Sequence, residues 1–474
     1  MEYHVHIIGA GLAGSEAALR LASLGISVSL FEMRPVTTTP VHRSDCCAEL
    51  VCSNSLKSMK PESAAGMLKE ELRVLGSPVF ACAMANRVPA GGALAVNREA
   101  FCESVTQAIE NSPAIELIRA EAVGLCPDGD VLVRDDGGDV RPFGHPADGI
   151  VIASGPLTSD TLATCLQEWT GTQSLAFYDA AAPIVMADSL DMSKLFRQSR
   201  YENDAPGDYL NAPMDKESYE HFIEELLAAK RVIAKDFETK DLFQACQPIE
   251  EIARKGKDAP RFGTLKPVGL IDPATGRRPW AALQLRAEDA HGLSYNLVGF
   301  QTNLCFPEQK RVFRMIPGLE QAEFARYGVM HRNTFIDAPH LLDTRMRYHG
   351  PAGAKPPCDV PLYIAGQLAG TEGYCEAIRS GAHVALHLAA ELRGVPAPEL
   401  PEETVFGALM SYAGNPETLD YQPMHVNFGI MPPLNERIKN KGQRYARYAE
   451  RGQQALRSYT AALKELGLLE TVEV

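Results

Sequence analysis

The chain has 474 residues, 45% hydrophobic and 22% charged, enough for two or three domains with cores of their own. A formal net charge of −14 excludes a protein that binds nucleic acid through its whole surface, while leaving room for a local basic face. No apolar run of about eighteen residues occurs, so no membrane-spanning helix is expected, and eleven scattered cysteines with neither a CxxC pair nor a zinc-spaced Cys/His cluster argue against a disulfide framework or a metal site.

The opening segment, MEYHVHIIGAGLAG, has no basic leader, and its apolar run leads into glycines rather than a cleavage site. No signal peptide is expected, and reduced thiols point to the cytoplasm. His4 to Ile8 reads as a buried strand. Gly9, Ala10, Gly11, Leu12, Ala13 and Gly14 then form G-x-G-x-x-G at the head of a helix whose apolar positions are Ala17, Ala18, Leu21 and Leu24, closed by Gly25. A second strand, Ser27 to Phe31, ends at Glu32. In this arrangement Gly9 permits a tight turn, Gly11 lets the backbone approach a pyrophosphate, and Gly14 allows helix and strand to pack closely. The helix N-terminus faces the phosphates, and Glu32 is placed to accept from a ribose. A bare glycine motif is weak; strand, helix, second strand and terminal acid in register predict a dinucleotide site.

AELVCSNSLKS comes next in the chain, and sets Cys52 among hydroxyls, an amide and Lys57, partners that favour a thiolate. Cys46 and Cys47 lie nearby without such a polar turn. DGIVIASGPLTS (148–159) reads as a strand entering a glycine turn at Gly155. LYIAGQLAGTEGYCEAIRSGAHVALHLAAEL (362–392) reads as a strand, a glycine-rich turn with Gly366, Gly373 and Tyr374, and a long helix. A late strand–turn–helix of this kind closes an FAD site rather than an NAD site. The expected fold is therefore α/β: a Rossmann-type FAD-binding domain of the glutathione-reductase kind in two parts (1–180 and 335–474), interrupted by an α+β insertion (181–334). Within the insertion, 216–235 reads as helix, and WAALQLRAEDAHGLSYNLVGFQTNL alternates as strands do. Cys246 precedes Glu250 and Glu251 and a basic strip with Arg254, Lys255, Lys257, Arg261 and Lys266. This strip and the basic tail from Asn435 (Arg437, Lys439, Lys441, Arg444, Arg447, Arg451) are the candidate surfaces for RNA phosphates, and either can equally be a solvated face. His331, Arg332 and Asn333 are candidate ligand contacts or satisfied packing groups.

Ten blocks together carry a resemblance: GAGLAGSEAALRLASLGISVSLFEMRP, AELVCSNSLKS, PAGGALAVNRE, ASGPLTSD, CQPIEE, LKPVGL, YNLVGFQTNL, RYGVMHRNTFID, GQLAGTEGYCEA and YQPMHVNFGIMPPL. Spread over nearly the whole length, they resemble the folate- and FAD-dependent tRNA uracil-5-methyltransferases (TrmFO). The chain departs from that pattern at Gln244 and Ala245, where a Glu-Gly pair is usual, and at Cys375 and Arg379, where smaller residues are expected. The resemblance implies methylation of carbon 5 of a T-loop uridine in tRNA. Methylenetetrahydrofolate is then the one-carbon donor, and FAD reduced by NADPH or NADH is the reductant. It maps the catalytic pair onto Cys52 and Cys246. Carbon 5 of uracil is a poor nucleophile until a thiolate adds to carbon 6, and a base must later remove the carbon-5 proton. Cys246 is the expected nucleophile and Cys52 the base or a partner at the flavin, with the order open. The alternatives are the same chemistry on ribosomal RNA, the related flavin-dependent wobble-uridine modification, and a flavin reductase without RNA methylation. Oligomeric state is not legible.

Overall fold

The computed structural model describes residues 3–39, 41–134, 137–171, 175–200, 207–233, 247–351, 354–418 and 421–469. At its centre β1 (His4–Ile8) and β2 (Ser27–Glu32) pair in parallel, with His4 opposite Ser27 and Ile8 opposite Phe31. Between them lies α1 (Leu12–Ser23), whose buried face carries Ala17, Ala18 and Leu21. Ile115–Arg119 extends the sheet beyond β2. Gly149–Ile152 pairs on the other side of β1, and Leu362–Ile364 lies outside it. All five strands are parallel, and the order in which they are laid down reverses at β1. A crevice at the carboxyl ends of the strands beside such a reversal is where a Rossmann-type sheet takes its ligand.

The strands alternate: Val5, Ile7, Val28 and Leu30 are buried on the face that the helices cover, while on the other face the ring of Phe143 meets His6 and Phe31 edge-on at 6.0 and 5.1 Å. α1 crosses the long helix Tyr374–Arg393 closely. A Cβ at Gly381 of that helix would sit 2.1 Å from the carbonyl oxygen of Ala13, so only glycine permits the crossing. Arg379 of the same helix is fully buried. Its Nε lies 3.3 Å from Oε2 of Glu71, and its guanidinium sits over the ring of Phe406 at 4.7 Å. Glu71 in turn accepts from the amides of Val405 and Phe406, which open the Val405–Ala413 helix. The large residue at 379 thus ties three helices together. Removing one member of a buried pair strands the other, at a cost of about 3–5 kcal/mol. Arg379→Met is expected to lower the urea midpoint accordingly, with an unchanged slope; a midpoint within error of wild type contradicts this account.

A second body of structure carries a core of its own, from Val185 to Ala322. Its six-stranded sheet is antiparallel in the order Phe196–Arg197, Leu210–Met214, Ala281–Ala287, Ser294–Leu297, Ile184–Met186, Phe324–Arg326. The helices Lys216–Ala228 and Phe306–Phe313 contribute Phe222 and Phe313 to that core. The first of these helices is shorter than its periodicity suggests. The chain leaves it at Ala229 because Asn303 takes hold of the next few residues: its carbonyl accepts from Val232, and its side-chain oxygen from the amide of Ile233. Residues 234 and 235 lie outside the described residues. A two-stranded ribbon, Leu175–Ala180 against Met330–Phe335, connects the two bodies. The C-terminal helix starts at Lys441, inside the basic tail, and is capped by the Asn440 side chain. Among the described residues no helix is long and apolar enough to cross a membrane.

Candidate functional site

The crevice at β1 is an elongated pocket of about 1000 Å³ including its mouth. Gly9, Gly11, Leu12, Ala13, Glu32, Gly155, Gly366, Gly373 and Tyr374 all line it. The glycines divide into two kinds. A Cβ at Gly9 (φ +102°) would lie 2.6 Å from the carbonyl oxygen of Ala153, and one at Gly14 1.8 Å from that of Gly9. These two are required by the protein itself. A Cβ at Gly11 would meet nothing within 4 Å, so Gly11 leaves open the space into which a ligand must come. Ala10 and Gly14 stand behind the pocket wall. Ala10 acts through its backbone, donating to Glu32 Oε2 (3.2 Å) and accepting from Ala48 (2.8 Å).

Glu32 is already engaged on its other oxygen, where the Nε of Arg34 binds at 2.7 Å. Arg34 also reaches Glu49 at 3.1 Å. His42 shares this end of the pocket, and burial, with Arg34 beside it, pushes its imidazole down to about 4. The ring is therefore neutral at pH 7. At the other end, Gln367 donates to the buried carboxylate of Glu372. Burial, with Asp179 beside it, pushes that group up to about 8.

Cys52 is half-buried, on the loop that leads into the short strand Ser55–Ser58, and left-handed backbone flanks it at Ala48 (φ +55°) and, within that strand, at Lys57 (φ +68°). Non-glycine residues hold that conformation only where their surroundings impose it. Here they do. Tyr374 Oη accepts from the amides of both Cys52 (2.9 Å) and Ser53 (3.0 Å). Arg98 donates to the carbonyls of Leu50 (2.8 Å) and Cys52 (3.3 Å), and is itself held by Glu288 at 2.6 Å. Arg326 donates to Val51 at 2.7 Å. The side chain of Asn54 donates to Val96 and Ala287 and accepts from Arg286 at 2.7 Å. The thiol sulfur lies 3.7 Å from the carbonyl oxygen of Ala180. Cys47, by contrast, is buried, and desolvation pushes its thiol up to about 11.

Tyr374 is thus both a wall of the pocket and the clamp on the thiol loop. Tyr374→Phe leaves the wall in place and removes the acceptor shared by two partly buried amides, each worth about 1–3 kcal/mol when stranded. The expected result is a Cys52 thiol whose alkylation rate changes at least tenfold, with the pocket's affinity for its ligand unchanged. Equal alkylation rates in variant and wild type would remove Tyr374 from this positioning role.

Cys246 lies outside the described residues. The chain re-enters at Gln247, and the short helix Ile249–Arg254 is anchored to the block YNLVGFQTNL. The amide of Ile249 donates to Gln301, and the buried Glu250 accepts from Asn303 N (2.6 Å) and Thr302 Oγ1 (3.0 Å). Burial pushes the Glu250 carboxyl up to about 7. A Cβ at Gly328 would sit 2.7 Å both from Thr302 Cγ2 and from the carbonyl oxygen of Ala181, the residue after the one that Cys52 touches. Four residues beyond Cys246, the chain is therefore packed through Thr302 and Gly328 onto the ribbon that carries Ala180. The ribbon also borders the pocket, since Thr334 donates to Pro156 at 2.9 Å. Asn333 on it is buried, and among the described residues neither of its amide atoms has a hydrogen-bond partner. The side chains of His331 and Arg332 are outside the described set.

The basic surfaces look different once folded. In the strip, Arg254 pairs with Glu251, Lys257 with Glu224 and Arg261 with Asp258, while Lys255 bonds Gln247. In the tail, Arg447 pairs with Glu436 and Glu450, and Arg451 donates to the carbonyls of Pro432 and Pro433. Four of the five strip cations are thus taken up by partners, and Lys266 has no side-chain bond or ion pair among the described residues. Arg98, Arg326 and Arg286 are not legible as site residues in sequence, because their contacts with the thiol loop span 46 to 275 positions.

Comparison with known proteins gives the same picture. The family model for glucose inhibited division protein A matches residues 4–396. A Geobacter sulfurreducens protein, methylenetetrahydrofolate--tRNA-(uracil-5-)-methyltransferase TrmFO, is 50% identical over 448 residues, covering 94% of this chain and 96% of its own. The protein of that name from Symbiobacterium thermophilum is 48% identical over 461 residues, 97% of each chain. Two crystal forms of Aquifex aeolicus GidA superpose with TM-scores of 0.68 and 0.71. They cover 99% of this chain and 74% and 77% of theirs, at 16% and 17% identity, a likeness of fold alone. The chain belongs to the glucose inhibited division protein A family and, within it, to the methylenetetrahydrofolate--tRNA-(uracil-5-)-methyltransferases TrmFO.

Proposed function

We propose that this protein methylates carbon 5 of a T-loop uridine in tRNA, taking the one-carbon unit from methylenetetrahydrofolate and the electrons from FAD reduced by NADPH or NADH. The reading rests on one contact above all: a side chain lining a dinucleotide pocket, Tyr374, bonds the backbone of a half-buried cysteine. A pocket with a glycine that leaves ligand space and a thiol fastened to its wall suits a reaction needing a redox cofactor and a nucleophile or base together. Names carried by relatives about half identical over nearly the full length support the same chemistry.

The residues fit FAD. Gly11 and the N-terminus of α1 would take the pyrophosphate, Glu32 the ribose, and Gly366, Gly373 and Tyr374 the flavin end. When bound, the cofactor supplies the reducing equivalents that complete the methyl group. The chain's own residues do the rest. One thiolate of the pair Cys52 and Cys246 adds to carbon 6 of the uracil, which makes carbon 5 nucleophilic toward the folate-derived carbon. The other group removes the carbon-5 proton, and the carbon-6–sulfur bond then breaks, releasing the first thiolate as the one-carbon unit is left for reduction. We assign Cys246 to the first role and Cys52 to the second. Arg98, Arg326 and Tyr374 hold the Cys52 backbone, so its sulfur is presented at a fixed place. Residues 1–180 and 335–474 form the cofactor domain in this reading, and 181–334 the insertion that brings Cys246. The T-loop uridine must leave its stack to reach these thiols.

The test is incubation of the purified yellow protein with unmodified tRNA or ribosomal RNA, labelled methylenetetrahydrofolate and NADPH. Label in 5-methyluridine of tRNA is the expected outcome. Label confined to ribosomal RNA, or NADPH oxidation without label in either, would refute the assignment.

A further inference from the structure

Outside the cofactor pocket, the second body carries a wide surface groove. It runs between the start of the Lys216–Ala228 helix, the segment Arg261–Val268 and the turn 272–280. Five cationic side chains line it (Lys216, Arg261, Lys266, Arg277, Arg278) against two acids. Both acids are occupied locally. Asp215 caps the helix through the amide of Ser218, and Asp272 accepts from Ala274 and Thr275 in its own turn. Lys216 pairs with Glu220, and Arg261 lies flat on the ring of Trp280 at 3.6 Å. Lys266, Arg277 and Arg278 have no side-chain bond or ion pair among the described residues, in a chain of net charge −14. Beside them Phe262 is 81% exposed, so its ring is open to a stacking partner.

We propose that this groove docks the phosphate backbone of the RNA substrate, with Lys266, Arg277 and Arg278 contacting phosphates and Phe262 stacking on an unpaired base. The proposal rests on the function proposed above and adds the surface that function requires. Trp280, in the groove, leads directly into the strand Ala281–Ala287, whose last carbonyl accepts from Asn54 of the thiol loop. Seven strand residues at about 3.3 Å each set the groove roughly 20 Å from that loop. A folded RNA offering one base to the thiols has further backbone at such a distance. Unpaired cations with an exposed ring are the usual recognition chemistry for single-stranded or looped nucleic acid. An acidic peptide-like tail on the folate is the competing ligand.

Binding of fluorescein-labelled, unmodified tRNA transcript to the full-length holoprotein, measured by anisotropy over a range of salt, decides between them. For the Lys266→Glu, Arg277→Glu, Arg278→Glu variant we expect a Kd at least tenfold higher and a log Kd–log salt slope smaller by about 2. Phe262→Ala is expected to weaken binding several-fold with the slope unchanged, and bound-flavin absorption confirms that both variants are folded. Wild-type affinity and slope in the charge-reversed variant would overturn the proposal. So would unchanged tRNA binding with a raised KM for polyglutamyl but not monoglutamyl folate, which assigns the groove to the donor's tail. A wild-type protein that binds no tRNA overturns this proposal and the function together; one that binds through the groove but transfers no methyl group overturns the function alone.

Discussion

Cys52→Ala is expected to purify yellow and to methylate tRNA at least about 10³-fold more slowly than wild type, the scale of loss when a covalent or proton-transfer group is removed. The two halves of that outcome have separate physical grounds. Flavin stays because the Cys52 side chain is not part of the pocket lining, and the backbone bonds to Tyr374 and Arg98 do not depend on the sulfur. Activity goes because nothing else on the loop replaces a thiol: the nearest alternative, Cys47, is buried with its pKa pushed up to about 11. Cys246→Ala is expected to behave in the same way. The measurement is transfer of label from methylenetetrahydrofolate to tRNA at matched flavin content. Wild-type rates in both variants would mean that the chemistry does not run through this pair.

Gly11→Val and Gly14→Val are expected to fail in opposite ways. Gly11 has φ −71° and ψ −169°, open to any residue, and its added Cβ meets no protein atom. Gly11→Val should therefore fold, with a thermal midpoint close to that of wild-type apoprotein, yet bind FAD at least about a hundredfold more weakly, because the branched side chain fills the approach to the pyrophosphate. Gly14→Val drives a carbon to within 1.8 Å of the Gly9 carbonyl oxygen, a backbone collision that no rotamer relieves. It should lose the fold itself, a loss beyond the roughly 1–3 kcal/mol usual for an overpacked core and one that soluble yield and far-UV circular dichroism would register. Flavin retained in Gly11→Val would displace the pyrophosphate from this turn.

The contrast shows what one dimension reveals. β1, α1 and β2 are legible because every signal there is local: an apolar run, glycines at fixed offsets, helical spacing of Ala17, Ala18 and Leu21, and an acid at the strand end. The late strand and helix are legible for the same reason. The clamp on Cys52 is not, since Arg98, Arg326 and Tyr374 come from three distant segments and carry no mark in sequence that separates them from other arginines and tyrosines. Arg379 reads as an odd residue in an apolar helix until Glu71 is seen beside it. The basic strip is legible only in part: its charges are visible, while the partners of Arg254, Lys255, Lys257 and Arg261, which leave Lys266 apart, show only in the fold. Arg277 and Arg278 carry no signal in sequence, because two arginines in a turn are ordinary. Only folding leaves them unpaired beside Lys266 and Phe262.

One phenol oxygen sits at the junction of the coenzyme pocket and the thiol loop. Whatever shifts the opening turn of the Tyr374–Arg393 helix drags the two amides bound to it, and the sulfur between them, in the same direction. The wall of the pocket and the backbone of Cys52 therefore share a tether at Tyr374, beside those from Arg98 and Arg326. A change of cofactor that moved this ring would carry the thiol loop's two amides with it.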